Sequence, residues 1–317
     1  MKQQETKNIN YMEIEEINAA AAAGYNFAER CERDYNRKIV AAAEQVVSRG
    51  AERPIVLIAG PSGSGKTTTA LRLGAQLRNM GHEAHVFSLD NYYYRRADGV
   101  VPYDEEGVID LESPEFIDAE LLTEHLRLLS EGKPIDMPSF DFVNQRRNDG
   151  STPVHRKPGE FIIMEGIHAL DPAIFGDTLE LSTRIYVSVR TRLRDKNGYT
   201  LHPSRIRLMR RLIRDERTRG QSYRDTIARL RSVERGERMY INPNKESADI
   251  SFDTFFPYEI CLYRGLVLPE LEQVPQDFME DCYVEDIVPM LRQADALPEG
   301  VAPPDSVLRE FIGGQKF

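Results

Sequence analysis

The chain has 317 residues, a formal net charge of -10 at pH 7, 41% hydrophobic residues and 29% charged residues. This composition is typical of a globular protein, and it excludes disordered, collagen-like and membrane-embedded classes. Its three cysteines show no paired spacing, and its first residues form no apolar targeting segment. We therefore expect a cytoplasmic protein in a reducing compartment, without a membrane partner.

The N-terminal part of the chain has a helical composition. Residues 11–49 combine Ala, Glu, Arg and Lys without proline, and Gly50 follows as a helix stop. We therefore predict a helical extension over residues 1–50. Residues 54–59 then form a continuous apolar run, which is typical of a strand buried on both faces of a parallel sheet.

The middle of the chain alternates between helical and strand patterns. After a glycine-rich turn, we predict helices over residues 67–79 and 113–132 and strands over residues 83–89, 161–164 and 185–189. Such alternation favours an α/β architecture in which helices flank a parallel sheet in three layers. We assign residues 51–275 to this core. Because the chain beyond it is acidic and contains several prolines, we expect residues 276–317 to form a surface tail.

A phosphate-binding loop follows the first strand of the core. Residues 60–67, GPSGSGKT, match the pattern GxxxxGK followed by Ser or Thr, and they lie between a predicted strand and a predicted helix. Backbone amides of such a loop bind phosphate oxygens, Lys66 reaches the β and γ phosphates, and the Thr67 hydroxyl binds Mg²⁺. The predicted nucleotide-binding residues are Gly60, Ser62, Gly63, Ser64, Gly65, Lys66, Thr67 and Thr68.

These residues predict a P-loop NTPase fold with ATP and Mg²⁺ as cofactors. GTPase switches, motor ATPases and small-molecule kinases share the loop, so it does not by itself define the activity.

Two acidic residues directly follow predicted strands. In open α/β sheets, ligands bind beyond the carboxyl ends of the strands, which makes Asp90 and Glu165 the candidates for chemistry. Phosphoryl transfer needs one carboxylate to hold Mg²⁺ with Thr67 and another to accept the proton of the attacking hydroxyl. We assign Asp90 as the base and Glu165 as the metal ligand. Asp90 is also included among the residues expected to contact the metal. Each could instead be an ordinary helix or turn cap.

Five motifs together resemble one protein family. They are residues 60–68 (GPSGSGKTT), 88–93 (SLDNYY), 113–118 (SPEFID), 140–142 (FDF) and 165–170 (EGIHAL). In this order they are similar to the uridine kinase and phosphoribulokinase family. The loop over residues 191–203 and the ending over residues 308–314 (LREFIGG) resemble a bacterial subgroup of uridine-kinase-like nucleoside kinases. The resemblance implies transfer of the γ-phosphoryl group of ATP to the 5′-hydroxyl of a nucleoside, uridine or cytidine first, by a homo-oligomeric enzyme.

The resemblance also implies which residues bind the acceptor. Asp90 falls at the position of the family's catalytic aspartate. Glu112 replaces a ribose-binding Asp, while Phe140 and Gln145 replace a Tyr and a His that contact the base. Phe142 offers a face for stacking, although a Phe in this apolar setting is more often core. The implied substrate-binding residues are Tyr93, Glu112, Phe140, Phe142, Gln145 and Arg211.

An arginine-rich segment, residues 204–240, resembles the family's lid. Arg211 and Arg214 are three residues apart, so on a helix they share a face, and we predict that both stabilise the transferring phosphoryl group. Arg219 matches a phosphate-contacting arginine, whereas Gln221 stands where the family has another Arg. The alternative is a solvated arginine-rich helix face. Nucleic-acid binding is disfavoured by the acidic whole chain and the lack of interleaved aromatic residues.

Two alternatives to a nucleoside kinase remain open at this point. A kinase of the same fold could act on another small hydroxylated acceptor, since the acceptor positions depart from the family pattern. A non-catalytic ATP-binding regulatory protein would bind ATP without acceptor-dependent turnover. The histidines, including His168, show no metal-ligand spacing, and we expect surface or core roles for them.

Overall fold

The computed structural model describes residues 10–94, 98–141 and 144–314. The strands are β1 (Tyr11–Glu13), β2 (Ile55–Ala59), β3 (Ala84–Ser88), β4 (Ile135–Asp141), β5 (Arg146–Val154), β6 (Phe161–Glu165), β7 (Ser182–Ser188), β8 (Arg192–Arg194), β9 (Thr200–Leu201) and β10 (Ile250–Asp253). The α-helices are α1 (Ile14–Ala21), α2 (Tyr25–Arg49), α3 (Lys66–Asn79), α4 (Ala119–Ser130), α5 (Pro172–Phe175), α6 (Pro203–Arg219), α7 (Tyr223–Ala228), α8 (Leu230–Gly236), α9 (Glu259–Leu266), α10 (Leu268–Leu271), α11 (Gln276–Asp281), α12 (Ile287–Gln293) and α13 (Arg309–Ile312). Within the described ranges, no helix is long and apolar enough to cross a membrane.

The chain forms two compact units, each assembled from separate segments. The sheet unit comprises residues 36–187 and 231–252. The terminal unit comprises the chain up to residue 35, residues 188–230 and the chain from residue 253 onward. The boundaries expected from sequence, at residues 50 and 275, differ from the limits of these units and stay predictions.

The sheet unit is built on a five-stranded sheet in the order β10-β7-β2-β6-β3. The β7–β2, β2–β6 and β6–β3 pairs are parallel. Every residue of β2 is buried, as expected of an apolar strand covered on both faces. Helices flank the sheet, so the predicted α/β fold is confirmed, and α1 and α2 confirm the helical N-terminal extension.

The parallel register places the carboxyl ends of three neighbouring strands side by side. Glu165, the last residue of β6, lies opposite Ile58 of β2 and Ser88 of β3. The phosphate loop therefore follows the central strand, and Asp90 follows its second neighbour. This edge of the sheet collects the residues predicted to perform chemistry.

One predicted helix begins later than expected, and one hairpin was not predicted. The Ser113 hydroxyl caps only a short 3₁₀ turn, Pro114–Phe116, and α4 starts six residues after Ser113. The helix begins there because the Asp118 carboxylate accepts the backbone N–H of Leu121. Strands β4 and β5 form an antiparallel hairpin beyond α4.

The expectation of a surface tail over residues 276–317 is wrong. Val284, Ile287, Leu291 and Phe311 are fully buried in the terminal unit. The segment contains short groups of apolar residues at helical spacing, and these residues are buried. The acidic, proline-containing average composition concealed them. Average composition is a poor guide for a segment of short helices.

Helix α6 is held in the terminal unit by a buried ion pair. The Arg210 guanidinium donates to both carboxylate oxygens of Glu259, at 2.8 and 2.9 Å, and to the carbonyl of Thr254 at 2.6 Å. Both charged side chains are 0% exposed. The ring of Phe311 lies 5.3 Å from the guanidinium carbon, so the C-terminal helix covers this ion pair.

We predict that Arg210→Met lowers the free energy of unfolding by about 3–5 kcal/mol, because it leaves a buried carboxylate without its cation. Urea denaturation followed by circular dichroism measures the change. Arg292→Gln is the control, because its ion pair with Glu272 is exposed, and it should unfold at the wild-type urea concentration. An Arg210→Met protein as stable as wild type would contradict the prediction.

Candidate active site

The phosphate loop requires glycine at several positions. Gly63 and Gly65 have φ values of +75° and +82°, in the left-handed region that favours glycine. A Cβ atom at Gly60 would lie 2.0 Å from the carbonyl oxygen of Val187. The loop is therefore folded closely against the end of β7, in a conformation that few other sequences could adopt.

The polar groups of the loop fit a phosphate ligand. Helix α3 begins after Gly65, which supplies no side-chain cap to the first amides of the helix. The Ser64 hydroxyl is buried and has no hydrogen-bond partner among the described residues. The ammonium group of Lys66 donates to the carbonyl of Pro61 at 3.3 Å, which uses one of its donors. The Ser64 hydroxyl and the Lys66 ammonium group thus offer a phosphate a hydrogen-bond donor and a positive charge.

The predicted metal ligands lie together. The Thr67 hydroxyl donates to Oε1 of Glu165 at 3.1 Å, and Glu165 is 6% exposed. Hydroxyl and carboxylate oxygens suit Mg²⁺, which in such sites takes its other ligands from phosphate and water. Such a Mg²⁺ site does not need three or more His, Cys, Asp or Glu side chains as ligands. No group of that size occurs among the described residues.

Three carboxylates act electrostatically on the Tyr93 hydroxyl. Asp90 lies in the 3₁₀ turn Leu89–Tyr92, and its side chain is hydrogen-bonded to the Tyr93 hydroxyl. Burial raises the pKa of Tyr93 well above its usual range, and the nearby charges of Asp90, Glu112 and Glu165 raise it further. The Tyr93 hydroxyl therefore stays protonated, next to the three acidic side chains predicted for base, acceptor and metal.

Aromatic side chains line one side of this group. The ring of Tyr93 meets Phe140 edge-on at 5.6 Å and Phe116 at 6.3 Å between centroids. Gln145 lies exposed in the turn between β4 and β5, with a φ of +49°. Phe142 lies outside the described residues. Contacts of these side chains with a base stay predictions.

Residues that were not predicted from sequence also lie beside the site. His168 is 2% exposed and lies near Lys66 and the backbone of Glu112. Burial and the Lys66 charge lower the pKa of His168 to about 4, so its ring is neutral at pH 7. Asp110 is also buried, and its carboxylate accepts the backbone N–H of Glu112. The one feature of the sequence that could have pointed to Asp110 was its position two residues before Glu112.

The predicted lid arginines belong to the terminal unit. Arg211 is buried on α6, whereas Arg214 is half-buried and Arg219 is exposed. Arg214 donates to Oδ1 of Asp215 at 2.8 and 2.9 Å, and Arg219 lies 3.3 Å from the same oxygen. Gly220 ends the helix in a left-handed conformation. The catalytic and phosphate-binding roles of these arginines stay predictions.

A comparison with known protein families agrees with this geometry. The model of the phosphoribulokinase / uridine kinase family matches residues 55–256. The chain belongs to this family. As a member of the phosphoribulokinase / uridine kinase family it is a phosphotransferase with a small-molecule substrate.

Individual known proteins are also similar to this chain. The chain is 34% identical over 197 residues to the uridine kinase of Staphylococcus aureus strain JH9, which covers 62% of this chain and 85% of that protein. Among solved structures, a candidate fructose transport system kinase from Silicibacter sp. TM1040 has a TM-score of 0.48 at 20% identity, covering 68% of this chain and 98% of the other. A candidate uridine kinase from Bacillus stearothermophilus has a TM-score of 0.43 at 20% identity, covering 69% and 100%.

We predict that Gly60→Ala abolishes ATP binding, because the added methyl group must displace the loop from the Val187 carbonyl. Isothermal titration with MgATP measures the loss. Gly265→Ala is the matched control, since nothing lies within 4 Å of a Cβ there, and MgATP affinity should be unchanged. Wild-type affinity in Gly60→Ala would show that the loop is not the nucleotide site.

Proposed function

We propose that the protein is an ATP-dependent nucleoside kinase that phosphorylates the 5′-hydroxyl of a nucleoside, uridine or cytidine first. The observation that carries this proposal is the set of three carboxylates, those of Asp90, Glu112 and Glu165, whose charges act on the Tyr93 hydroxyl. Glu165 is also hydrogen-bonded to Thr67 of the phosphate loop. One carboxylate is then available for the metal, one for the proton and one for the acceptor. A nucleotide switch or motor binds no acceptor, so it does not need the third carboxylate.

ATP and Mg²⁺ fit the residues of the loop. The uncapped start of α3, the Ser64 hydroxyl and Lys66 would bind the phosphates, and Thr67 and Glu165 would hold the metal. Bound Mg²⁺ neutralises charge that develops on the transferring phosphoryl group. We place Arg211, Arg214 and Arg219 in the same role, as cations that bind the phosphates during transfer.

Asp90 is proposed as the general base. Its carboxylate accepts a hydrogen bond from the Tyr93 hydroxyl, which orients it for the hydroxyl of the acceptor. Because the Tyr93 hydroxyl stays protonated, it donates to Asp90 and does not compete for the proton. The proton of the attacking hydroxyl thus moves to Asp90 as the new O–P bond forms. The bond between the γ phosphorus and the bridging oxygen of ATP breaks at the same time, and ADP is the leaving group.

The acceptor would lie between Glu112 and the aromatic side chains. The Glu112 carboxylate can accept hydrogen bonds from ribose hydroxyls, and Phe140 offers an apolar surface to the base. Similarity to the uridine kinase of Staphylococcus aureus supports a pyrimidine nucleoside as acceptor. Because Phe140 and Gln145 differ from the Tyr and His of the family, another small hydroxylated acceptor is the alternative substrate.

Acceptor-dependent ADP release, assayed with Mg²⁺ and ATP, tests this proposal. The panel contains uridine, cytidine, purine nucleosides, 2′-deoxynucleosides and several sugars and polyols. Stimulation by uridine or cytidine is the expected result. Stimulation only by a sugar or polyol would keep the kinase activity and replace the substrate. Bound ATP without stimulation by any compound would favour a regulatory protein and contradict the proposal.

We predict that Asp90→Asn lowers kcat by a factor on the order of 10² or more and leaves MgATP affinity nearly unchanged, because an amide cannot accept the proton. Steady-state kinetics with isothermal titration separates the two effects. Lys66→Ala is the contrasting variant, and it should lose both turnover and ATP affinity without loss of folded structure. A parallel loss of ATP affinity in Asp90→Asn would assign Asp90 to the metal site.

A further inference from the structure

A network of charged and polar side chains lies behind the acceptor carboxylate. Asp110 is 2% exposed, and its Oδ2 accepts the Tyr240 hydroxyl at 2.8 Å and Nη1 of Arg235 at 2.8 Å. Burial alone would raise the pKa of Asp110, but the hydrogen bonds from Arg235 and Tyr240 outweigh it and hold the pKa below its usual range. The aspartate is therefore ionised and firmly held.

The other oxygen of Asp110 faces Glu112. Oδ1 accepts the backbone N–H of Glu112 at 3.2 Å, and the Asp110 carbonyl accepts the N–H of Ser113 at 3.1 Å. On the opposite side, the Asp110 N–H donates to the carbonyl of Pro102 at 2.9 Å. The backbone that carries Glu112 is thus fixed by one buried carboxylate.

The same segment that holds Asp110 also packs on Glu112 directly. A Cβ atom at Gly236 would lie 2.3 Å from Cβ of Glu112, so only glycine allows this approach. Residues Glu237–Ile241 form a π-helix, an irregular turn that is frequent at functional sites. Arg235, Gly236 and Tyr240 lie within or next to this turn.

Tyr240 makes a second contact with the site. Its ring meets the ring of His168 edge-on at 6.0 Å, and His168 lies beside the backbone of Glu112. Tyr240 thus packs against a buried ring that itself lies beside the backbone of Glu112.

We propose that residues 235–240 are a positioning element for the acceptor site, in which Arg235 and Tyr240 act through Asp110 to hold Glu112 in place. The inference rests on the proposed function, because it assumes that Glu112 binds the acceptor. None of these three residues touches the reacting atoms. Their effect is therefore on acceptor binding and not on the chemical step.

The test is the steady-state kinetics of Tyr240→Phe and Arg235→Gln with uridine and MgATP. Tyr240→Phe keeps the ring against His168 and removes one hydrogen bond to Asp110. We expect each variant to raise KM for uridine by roughly 2- to 13-fold, as the loss of one hydrogen bond of typical net strength implies. The kcat value at saturating uridine and KM for MgATP should stay at wild-type values. The thermal midpoint should fall, more in Arg235→Gln than in Tyr240→Phe, because Arg235→Gln leaves the buried Asp110 carboxylate without its cation.

A double-mutant cycle tests whether these residues act through Glu112. In a Glu112→Ala background, Tyr240→Phe should cause no further increase in KM for uridine. An equal increase in both backgrounds, or a fall of kcat at saturating uridine with an unchanged KM for uridine, would overturn the positioning role. If Glu112→Ala itself leaves KM for uridine unchanged, the acceptor assignment in the proposed function fails instead, which is a distinguishable result.

Matched controls show whether the substitutions themselves have general effects. Tyr199→Phe also removes a tyrosine hydroxyl bonded to a carboxylate, that of Asp286, in the terminal unit. Arg127→Gln removes an arginine that is paired with Glu124 and Glu131 on the exposed face of α4. Both controls should keep wild-type KM values. If Arg235→Gln does not fold, Tyr240→Phe alone decides the question.

Discussion

The parallel register of β2, β6 and β3 is the constraint on which the site depends. Parallel strands end at the same edge of a sheet, and here three consecutive neighbours each deliver a polar group to that edge. β2 leads into the phosphate loop, β6 ends on Glu165, and β3 leads to Asp90. A register shift of one residue on β6 would turn Glu165 to the other face of the sheet and break its hydrogen bond with Thr67.

The site concentrates negative charge next to a loop built for anions. Asp90, Glu112 and Glu165 are close enough to Tyr93 for all three to disfavour its ionised form. Such a cluster of like charges costs stability in the free protein, and cations that arrive with the nucleotide would relieve it. The buried hydroxyl of Ser64, without a partner among the described residues, carries a similar cost that a phosphate oxygen would offset. Both features are those of a site organised for its ligands.

The sequence predicted the elements whose signal is local. Neighbouring residues alone were enough to identify the apolar run of β2, the GPSGSGKT loop, Asp90 after β3 and Glu165 at the end of β6. The start of α4 was misplaced because Ser113 and Asp118 are both good caps, and only the fold shows which of them begins the long helix. Contacts between distant residues could not be predicted, and Arg235 with Asp110 is the clearest case. The buried segment beyond residue 276 was missed because its apolar groups are short and separated by prolines and acids.

The most direct measurement is phosphorus NMR of the product formed from MgATP and uridine by the intact chain. A new resonance that couples to the two 5′-methylene protons of the ribose, and that grows in step with ADP, is the predicted result. It would show that the γ-phosphoryl group passes from the phosphate loop to the hydroxyl next to Asp90. Release of inorganic phosphate alone, or coupling to a ring proton of the sugar, would contradict transfer to the 5′-hydroxyl.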